Sequence, residues 1–327
     1  MTSSDKLRLS LAICEYDHVR DLTNGPVVAQ GIELEVVTLP IAEIFQRFTR
    51  DREWDVSEMS LGMYVSLLSQ GDRGLTAIPV FTSRMFRLSS FYARNDGSVT
   101  SLEMLRGKRI GYPDWMHTAG IFARGYLQHQ LGIALEENTW IQAGVNAPGL
   151  RELLPPRLPP EVRRESLPER SLNDLLQSGD IDAVLSSHPL KSSLGPNPAS
   201  TRLVADFATR EAAYWRETGI FPIMHVIALR RDVYERNPWI SKSLFTAFET
   251  AKNRSLERMR DSTISRYPYP WSFTWAAQAE ALCGVDFWPY GIAANRHTLE
   301  AFLDFCVEQG VAHRRVELDE LFAPHLG

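Results

Sequence analysis

Apolar positions in the first ninety residues follow two alternating patterns. Leu7–Ile13 has the composition of a buried strand, and Ile32–Leu39 alternates apolar and polar residues as a half-buried strand does. Ile41–Phe48 instead has helical spacing after a proline. Strands that alternate with helices predict an α/β protein with a parallel sheet. The other elements predicted in this part are the strands Trp54–Met59, Thr76–Val80 and Ser90–Ala93 and the helix Leu61–Leu68.

A second α/β unit begins near an Asn-Asp-Gly turn signal at residues 95–97. Its pattern predicts the strand Arg109–Tyr112 followed by the helix Thr118–Leu131. The pattern changes again after Asp206, where the apolar strand Ile223–Leu229 is predicted. The remaining predicted elements are the helices Ser101–Leu105, Leu172–Leu176, Ser241–Met259 and Leu299–Val307, the strand Asp182–Leu185 and a proline-rich loop at residues 155–160.

This order predicts a protein of two lobes. Residues 1–93 and 207–327 would form the first lobe, and residues 94–206 would form a second lobe inserted into it. Small ligands bind preferentially in clefts between such units. In α/β sheets they bind at the carboxyl ends of the strands. The candidate functional residues are therefore the polar side chains that follow predicted strands.

Length and charge narrow the class of partner. A chain of 327 residues is long enough for two domains. Its 35 Lys and Arg against 40 Asp and Glu leave a net charge of −5, which lacks the basic footprint of a nucleic-acid-binding protein. No stretch approaches the roughly 20 apolar residues that span a bilayer, and residues 1–11 lack an apolar run of signal-peptide length. We therefore expect a cytoplasmic protein without a nucleic-acid or membrane partner.

The loop predicted after the third strand carries the first candidate residues. Glu58 is predicted where a strand ends and a helix begins, so that its carboxylate would face the cleft and take part in proton transfer. The alternative is a carboxylate placed at a helix start by the helix macrodipole. Ser60 fits a ligand contact or a helix N-cap equally well.

Arginines lie beyond two predicted strands. Arg84 and Arg87 stand three residues apart after Thr76–Val80, and Arg20 follows the first strand. The planar fork of a guanidinium binds a carboxylate through two parallel hydrogen bonds, so two such groups in one loop suit a dianion. Pairing with local acidic side chains is the alternative interpretation.

Two histidines are further candidates, one after a predicted strand and one inside a predicted strand. His117 and Thr118 follow the strand Arg109–Tyr112 and begin a helix, whose free N–H groups attract anions. A surface histidine and a capping threonine are the alternatives here. His225 lies inside an apolar strand after a Gly-Ile-Phe-Pro turn. It is either a hydrogen-bonded core histidine or an acid or base that faces the cleft.

Several common catalytic patterns are absent from the sequence. It contains no P-loop, no GxGxxG, no GxSxG and no HExxH, so nucleotide hydrolysis, dinucleotide redox chemistry and zinc-protease chemistry have no support. Its three cysteines, Cys14, Cys283 and Cys306, show no metal-binding spacing. No metal ligand set is therefore predicted.

An ordered set of short segments resembles the 4,5-dihydroxyphthalate decarboxylase family. The matching segments run in order through nearly the whole chain: residues 55–60, 81–87, 107–111 and 218–225, Pro238-Trp239, residues 288–291, Asn295-Arg296 and residues 321–324. The resemblance implies a type II periplasmic-binding-protein-like fold with a ligand cleft between two lobes. It also implies a decarboxylase of an aromatic acid that uses no cofactor and forms a homo-oligomer.

The reaction that the resemblance implies converts 4,5-dihydroxyphthalate to protocatechuate. This chemistry needs a base at the phenol, an acid at the ring carbon and cations for the carboxylate that remains. His225 and Glu58 are the candidates for proton transfer, with their order left open. Arg84 and Arg87 would hold a carboxylate, helped by Thr118 and Arg20, while Ser60 and His117 complete the candidate substrate contacts.

The sequence departs from the family pattern at two places. Leu88 stands where a histidine commonly follows the Met-Phe-Arg run, and the segment at residues 117–120 differs as well. One alternative function is therefore a non-catalytic binding protein for an aromatic carboxylate, because the fold serves both purposes. Another is a metal-assisted enzyme that uses Glu58 with His117, His188 or His225.

Overall fold

The computed structural model describes residues 6–264 and 266–324, which contain two β-sheets covered by helices. The strands are β1 Leu7–Ile13, β2 Ile32–Thr38, β3 Val56–Ser60, β4 Leu75–Arg84, β5 Phe91–Arg94, β6 Arg109–Tyr112, β7 Thr139–Gly144, β8 Arg163–Ser171, β9 Ala183–Leu185, β10 Ser200–Arg202 and β11 Ile223–Arg230. The helices are α1 Asp17–Thr23, α2 Ile41–Asp51, α3 Leu61–Ser69, α4 Thr118–Leu131, α5 Leu172–Ser178, α6 Phe207–Thr218, α7 Arg231–Arg236, α8 Ile240–Arg260, α9 Ser272–Cys283, α10 Arg296–Glu308 and α11 Leu318–Leu321.

The first sheet has five strands in the order β2-β1-β3-β11-β4. β1 pairs in parallel with β2 and with β3, as the alternating pattern predicts. β11 lies between β3 and β4 and is antiparallel to both. The parallel pairing predicted from the first ninety residues therefore does not extend to this later strand. β11 is the one strand of this sheet whose chain arrives from the second sheet, and it enters from the opposite direction.

The second sheet has six strands in the order β10-β5-β9-β6-β7-β8. β6, β7 and β8 are parallel, whereas β5 pairs antiparallel with both of its neighbours. β5 covers residues 91–94 and belongs to this second sheet, although most of it lies within the range predicted for the first lobe. The lobe boundaries at residues 93 and 206 otherwise stay a prediction.

Several elements escaped the sequence analysis because their burial is incomplete. β8 (RRESLPERS) is an edge strand that is mostly exposed, carries charges and contains a proline, which is tolerated at edges. α6 has only two buried residues, Glu211 and Tyr214, so no apolar stripe marks it. α9 likewise buries a single residue. A periodicity argument finds only elements that bury one full face.

Helix α10, near the C-terminal end of the described chain, packs against α4. The ring of Phe302 stacks on that of Phe122 in α4, with 5.0 Å between their centroids. The indole N–H of Trp115 donates to the backbone oxygen of Gln309 at 2.7 Å. Residues near the end of the chain therefore supply part of the packing that holds α4 in place. No helix among the described residues is long and apolar enough to cross a membrane.

Removing one ring of this contact is expected to destabilise the protein. Phe302 is fully buried, so Phe302→Ala removes buried apolar area and leaves a cavity, which costs about 3–5 kcal/mol. Phe273 in α9 is 46% exposed, and Phe273→Ala should change the free energy of unfolding by less than about 1 kcal/mol. Urea denaturation of both variants measures the difference. Equal effects would contradict the described role of α10.

Candidate active site

Adjacent strands of the first sheet bring the two proton-transfer candidates together. In the β3–β11 ladder His225 lies opposite Ser60, and Ile227 lies opposite Glu58. Residues two positions apart on a strand share a face of the sheet, as do residues directly opposite each other. Glu58 and His225 are therefore diagonal neighbours on one face. The imidazole Nδ1 lies 2.7 Å from Glu58 Oε1.

The Glu58 carboxylate is fully buried and accepts hydrogen bonds from four groups. The Tyr16 hydroxyl donates to Oε1 at 2.7 Å, and the Thr82 hydroxyl donates to the same oxygen at 2.8 Å. The backbone N–H of Cys14 donates to Oε2 at 3.0 Å, and His225 supplies the fourth bond. Burial alone would raise the pKa of Glu58, but these hydrogen bonds and the charge of His225 lower it. Glu58 is therefore an ionised carboxylate.

This geometry corrects the prediction for Glu58. The residue lies within β3 rather than at a helix start, and its side chain is 0% exposed. The carboxylate is therefore closed to solvent, and His225 is the more exposed member of the pair. Its fixed negative charge instead acts on His225, which must donate from Nδ1 because an ionised carboxylate only accepts.

His225 is the exposed end of this pair. Its side chain is 15% exposed, and its ring meets the ring of Phe45 edge-on at 4.9 Å between centroids. Nδ1 is bound to Glu58, whereas Nε2 has no hydrogen-bond partner among the described residues. A carboxylate that fixes one ring nitrogen leaves the other for proton transfer. His225 is thus neither a core histidine nor a surface one.

Arg84 is placed differently from the prediction. It is the last residue of β4 and is buried, and its guanidinium donates to the backbone oxygens of Phe221 at 3.0 Å and Pro289 at 3.3 Å. The guanidinium also lies over the Phe221 ring, 4.5 Å from its centroid. Burial lowers the pKa of Arg84 to about 9. The structure therefore places Arg84 beneath the turn that leads to His225.

Arg87 has the more open guanidinium of the two. Its Nε lies 3.3 Å from the sulfur of Met224, a weak acceptor. Its two terminal nitrogens have no hydrogen-bond partner among the described residues, and no carboxylate of that part of the chain lies within 4 Å. Burial lowers the pKa of Arg87 to about 10, and Glu211 opposes that change. An unpaired, partly buried cation is suited to bind an anion.

Arg20 is engaged on its own helix. Its guanidinium lies 3.0 Å from Asp17 and 3.9 Å from Asp21, and its side chain is 55% exposed. It lines a surface cavity of about 350 Å³ together with Cys14 and Tyr16. The alternative interpretation of local ion pairing thus describes Arg20 in this structure.

Ser60 and Thr118 contact each other across the two halves of the molecule. Their hydroxyl oxygens lie 2.9 Å apart, and the backbone N–H of Gly62 donates to the Thr118 hydroxyl at 3.0 Å. A Cβ at Gly62 would lie 2.4 Å from the backbone oxygen of Met116, so only glycine fits this approach. Neither hydroxyl caps its own helix. The N-terminus of α4 therefore docks directly on that of α3.

His117 precedes α4 and lies near the other basic groups. Its Nε2 is 3.4 Å from the Ser187 hydroxyl, the limit of a hydrogen bond. Burial and the positive charges of Arg87, His188 and His225 lower the pKa of His117 to about 3. The structure thus brings His117, Arg87 and His225 into one region, with His117 neutral.

Sequence reasoning placed Tyr16 on the same rim as Arg20 but gave no role to Tyr16, Thr82 or His18. His18 donates from Nε2 to the backbone oxygen of Thr82 at 2.8 Å, and its ring packs between those of Tyr16 and Trp288. Tyr16 follows β1 directly, a signal that could have identified it. Thr82 follows the predicted strand Thr76–Val80 and carries the same signal, although in the structure it lies inside the longer β4. Among residues 6–264 and 266–324, no group of three or more His, Cys, Asp or Glu could hold a metal ion.

Leu88, where the family pattern has a histidine, lies in the core. Its side chain is 4% exposed and belongs to the main hydrophobic cluster. Its backbone N–H donates to the Glu211 carboxylate at 2.9 Å. At this position the side chain packs inside the protein rather than facing the region of His225.

Solved structures share the fold at low sequence identity. The periplasmic aliphatic sulphonate binding protein SsuA from Escherichia coli aligns with a TM-score of 0.55 and 10% identity, covering 98% of both chains. The desulfurization enzyme DSZB aligns with a TM-score of 0.55 and 18% identity, covering 98% of this chain and 97% of the other. These similarities confirm the two-lobed, periplasmic-binding-protein-like α/β fold.

Curated relatives are more similar in sequence, although no sequence-family model matches the chain. A protein of Pseudomonas putida is 36% identical over 182 residues, 55% of this chain and 70% of the relative, and is named 4,5-dihydroxyphthalate decarboxylase. A protein of Comamonas testosteroni with the same name is 33% identical over 320 residues, 98% of this chain and 97% of the relative. With this identity over nearly the full length of both proteins, the chain belongs to the 4,5-dihydroxyphthalate decarboxylase family.

Proposed function

We propose that this chain is a carboxy-lyase that converts 4,5-dihydroxyphthalate to protocatechuate and CO₂. The observation that carries the proposal is the Glu58–His225 pair, in which a buried carboxylate fixes one imidazole nitrogen and leaves the other open. The names of the two curated relatives support the substrate. Ligand binding without turnover is the second candidate function, because the same fold serves both purposes.

The chemistry follows from the substrate itself. Each carboxylate of 4,5-dihydroxyphthalate is para to a hydroxyl, so electron density from the phenol oxygen reaches the ring carbon that bears the carboxylate. A proton is added to that carbon, the C–C bond to the carboxylate breaks, and its electron pair restores the aromatic ring as CO₂ leaves. The net reaction replaces one carboxylate with one proton.

His225 is the proposed proton donor to the ring carbon. Glu58 stabilises the imidazolium through the 2.7 Å contact at Nδ1, so that Nε2 carries the transferable proton. Tyr16 and Thr82 keep the Glu58 oxygen in place and remain neutral donors; burial and the nearby Glu58 charge raise the pKa of Tyr16. Glu58 then acts through His225 and does not touch the substrate.

The other groups hold the substrate. Arg87 would bind the carboxylate that is retained through its two open terminal nitrogens. His117, which is kept neutral, can accept a hydrogen bond from a ring hydroxyl and so increase the electron density on the phenol oxygen. The ring of Phe45 against His225 supplies an apolar wall, which favours neutral CO₂ over a carboxylate anion.

Oligomeric state and location are part of the proposal as well. The exposed apolar side chains Tyr269, Trp271, Phe273 and Trp275 are concentrated at and before the start of α9. Buried aromatic residues are enriched in contacts between subunits. This surface supports a homo-oligomer, and light scattering of the purified chain measures the mass in solution. A cytoplasmic location is the other part of the proposal, which this surface does not bear on.

The decisive experiment for the function is CO₂ release. The purified chain should release CO₂ from 4,5-dihydroxyphthalate and form protocatechuate, but should not act on phthalate, which lacks the activating hydroxyls. His225→Gln should lower kcat by roughly 10²–10⁴ because it removes the proton donor, with little change in melting temperature. Ligand binding without CO₂ release by the wild-type chain would instead support the binding-protein function.

Glu58→Gln is expected to change the acid stability of the protein. The folded-state pKa of Glu58 lies below its ordinary value of 4.5, so its contribution is present above that pH and is lost as the pH falls through the folded-state value. The melting temperature of Glu58→Gln should lie below that of the wild type at pH 6–8, and this difference should shrink at pH values below about 4.5. The exposed Glu217→Gln serves as the control and should show no such convergence.

The two neighbouring arginines should respond differently to substitution. Arg87→Lys keeps the charge but loses the planar fork, so KM should rise by roughly tenfold or more at nearly unchanged melting temperature. Arg84→Ala leaves two backbone oxygens without their donor, so it should lower the free energy of unfolding by about 1–3 kcal/mol. If Arg84→Ala raised KM without lowering stability, the result would contradict this structural role. It would support the carboxylate-binding role that the sequence predicts for Arg84.

A further inference from the structure

The chain crosses between the two sheets twice, and the two crossings contact each other. Residues 85–90 connect β4 of the first sheet to β5 of the second, and Arg87 lies in this connection. The return connection runs from β10 through α6 to β11, the strand of His225. Glu211 is a residue of α6 and is 8% exposed.

The Glu211 carboxylate binds the backbone of the first connection. Its Oε1 accepts the backbone N–H of Leu88 at 2.9 Å. Leu88 begins the short 3₁₀ turn Leu88–Ser90 that follows Arg87. The first N–H groups of a helical turn have no partner within the turn. Glu211 therefore supplies from another element the cap that this turn lacks.

The surroundings indicate that Glu211 is not one half of an ion pair. No arginine or lysine nitrogen of the described chain lies within 4 Å of its carboxylate. Arg87 and Arg202 are the positive charges that act on it from a greater distance, and burial raises the pKa of Glu211 to about 7. A carboxylate that is costly to bury thus accepts a hydrogen bond from the backbone N–H of the residue next to Arg87.

The position of Arg87 depends on this backbone. The ring of Phe86, on one side of Arg87, stacks on Phe221 at 4.8 Å between centroids, and Leu88 on the other side is bound to Glu211. Among the described residues, the Arg87 side chain makes one hydrogen bond, the weak one to the sulfur of Met224. Phe86 and Leu88 therefore hold the backbone from which the Arg87 side chain extends.

We propose that Glu211 is a positioning residue for Arg87, which holds the connection at residues 86–89 so that the Arg87 guanidinium is presented to the substrate carboxylate. This inference rests on the proposed function for the identity of the substrate. Glu211 sets the affinity of the site for a carboxylate and leaves proton transfer by His225 unchanged. Because Glu211 lies on α6, it also links the two crossings on which Arg87 and His225 depend.

The test compares binding and turnover in Glu211→Ala, Glu211→Gln and Arg87→Ala. Glu211→Ala should raise KM, and the Kd of phthalate measured by calorimetry, about tenfold, with kcat changed less than about threefold. Glu211→Gln should recover most of the affinity, because its amide oxygen can still accept the Leu88 N–H. In the Arg87→Ala background, Glu211→Ala should have no further effect on Kd, since the two residues act as one unit.

The outcomes separate this inference from the proposed function. Glu217→Gln, an exposed change on the same helix, is the matched control and should leave both constants unchanged. If the wild type released CO₂ but Glu211→Ala left KM and the phthalate Kd unchanged, or if its effect were additive with Arg87→Ala, the inference would be overturned. If the wild type bound phthalate through Arg87 and Glu211 without releasing CO₂, the inference would stand and the decarboxylase function would fail. Absence of phthalate binding by the wild type would also overturn the inference.

Discussion

The buried carboxylate of Glu58 is the group around which the site is organised. A charge in an apolar interior is tolerated only if its oxygens are fully hydrogen-bonded. Its four donors come from the loop after β1, from β4 and from β11, so the strand order β1-β3-β11-β4 is what satisfies it. Displacing any one of these strands would leave the charge partly unpaired. The same requirement that stabilises the sheet thus fixes the orientation of His225.

The two halves of the molecule contribute different parts of the proposed chemistry. The first sheet carries the proton-transfer pair, and Arg87 lies on the connection that leaves it. The N-terminus of α4 brings His117 from the second half, and the Ser60–Thr118 contact holds the halves together at this point. In the proposed mechanism the acid, the cation and the neutral imidazole therefore come from separate elements. Such an arrangement lets each group keep the protonation state that its own surroundings impose.

Relatives of this fold show why the site and not the architecture determines the activity. A sulphonate-binding protein and a desulfurization enzyme share the fold at 10% and 18% identity. What distinguishes a catalytic site on such a scaffold is a group with a fixed protonation state next to a group that can exchange a proton. We propose this relation for Glu58 and His225, which are in contact at 2.7 Å. The sequence also predicted Arg84 and Arg20 as carboxylate-binding residues. In the structure Arg84 donates to backbone carbonyl oxygens and Arg20 pairs with a local acid.

Periodicity and residue type alone determined the α/β class and the exact bounds of β1, β6 and α4. They also identified His225 as a candidate acid or base. Those elements bury a complete face, which local sequence records. Only the tertiary structure decided that β11 runs antiparallel between β3 and β4, that Glu58 lies beneath His225, and that Ser60 and Thr118 bind each other. Each of these features depends on contacts between residues far apart in the chain. The residue type at one position does not reveal which distant residue it will contact. The exposed elements α6, α9 and β8 were missed for the opposite reason, because little of their surface is buried.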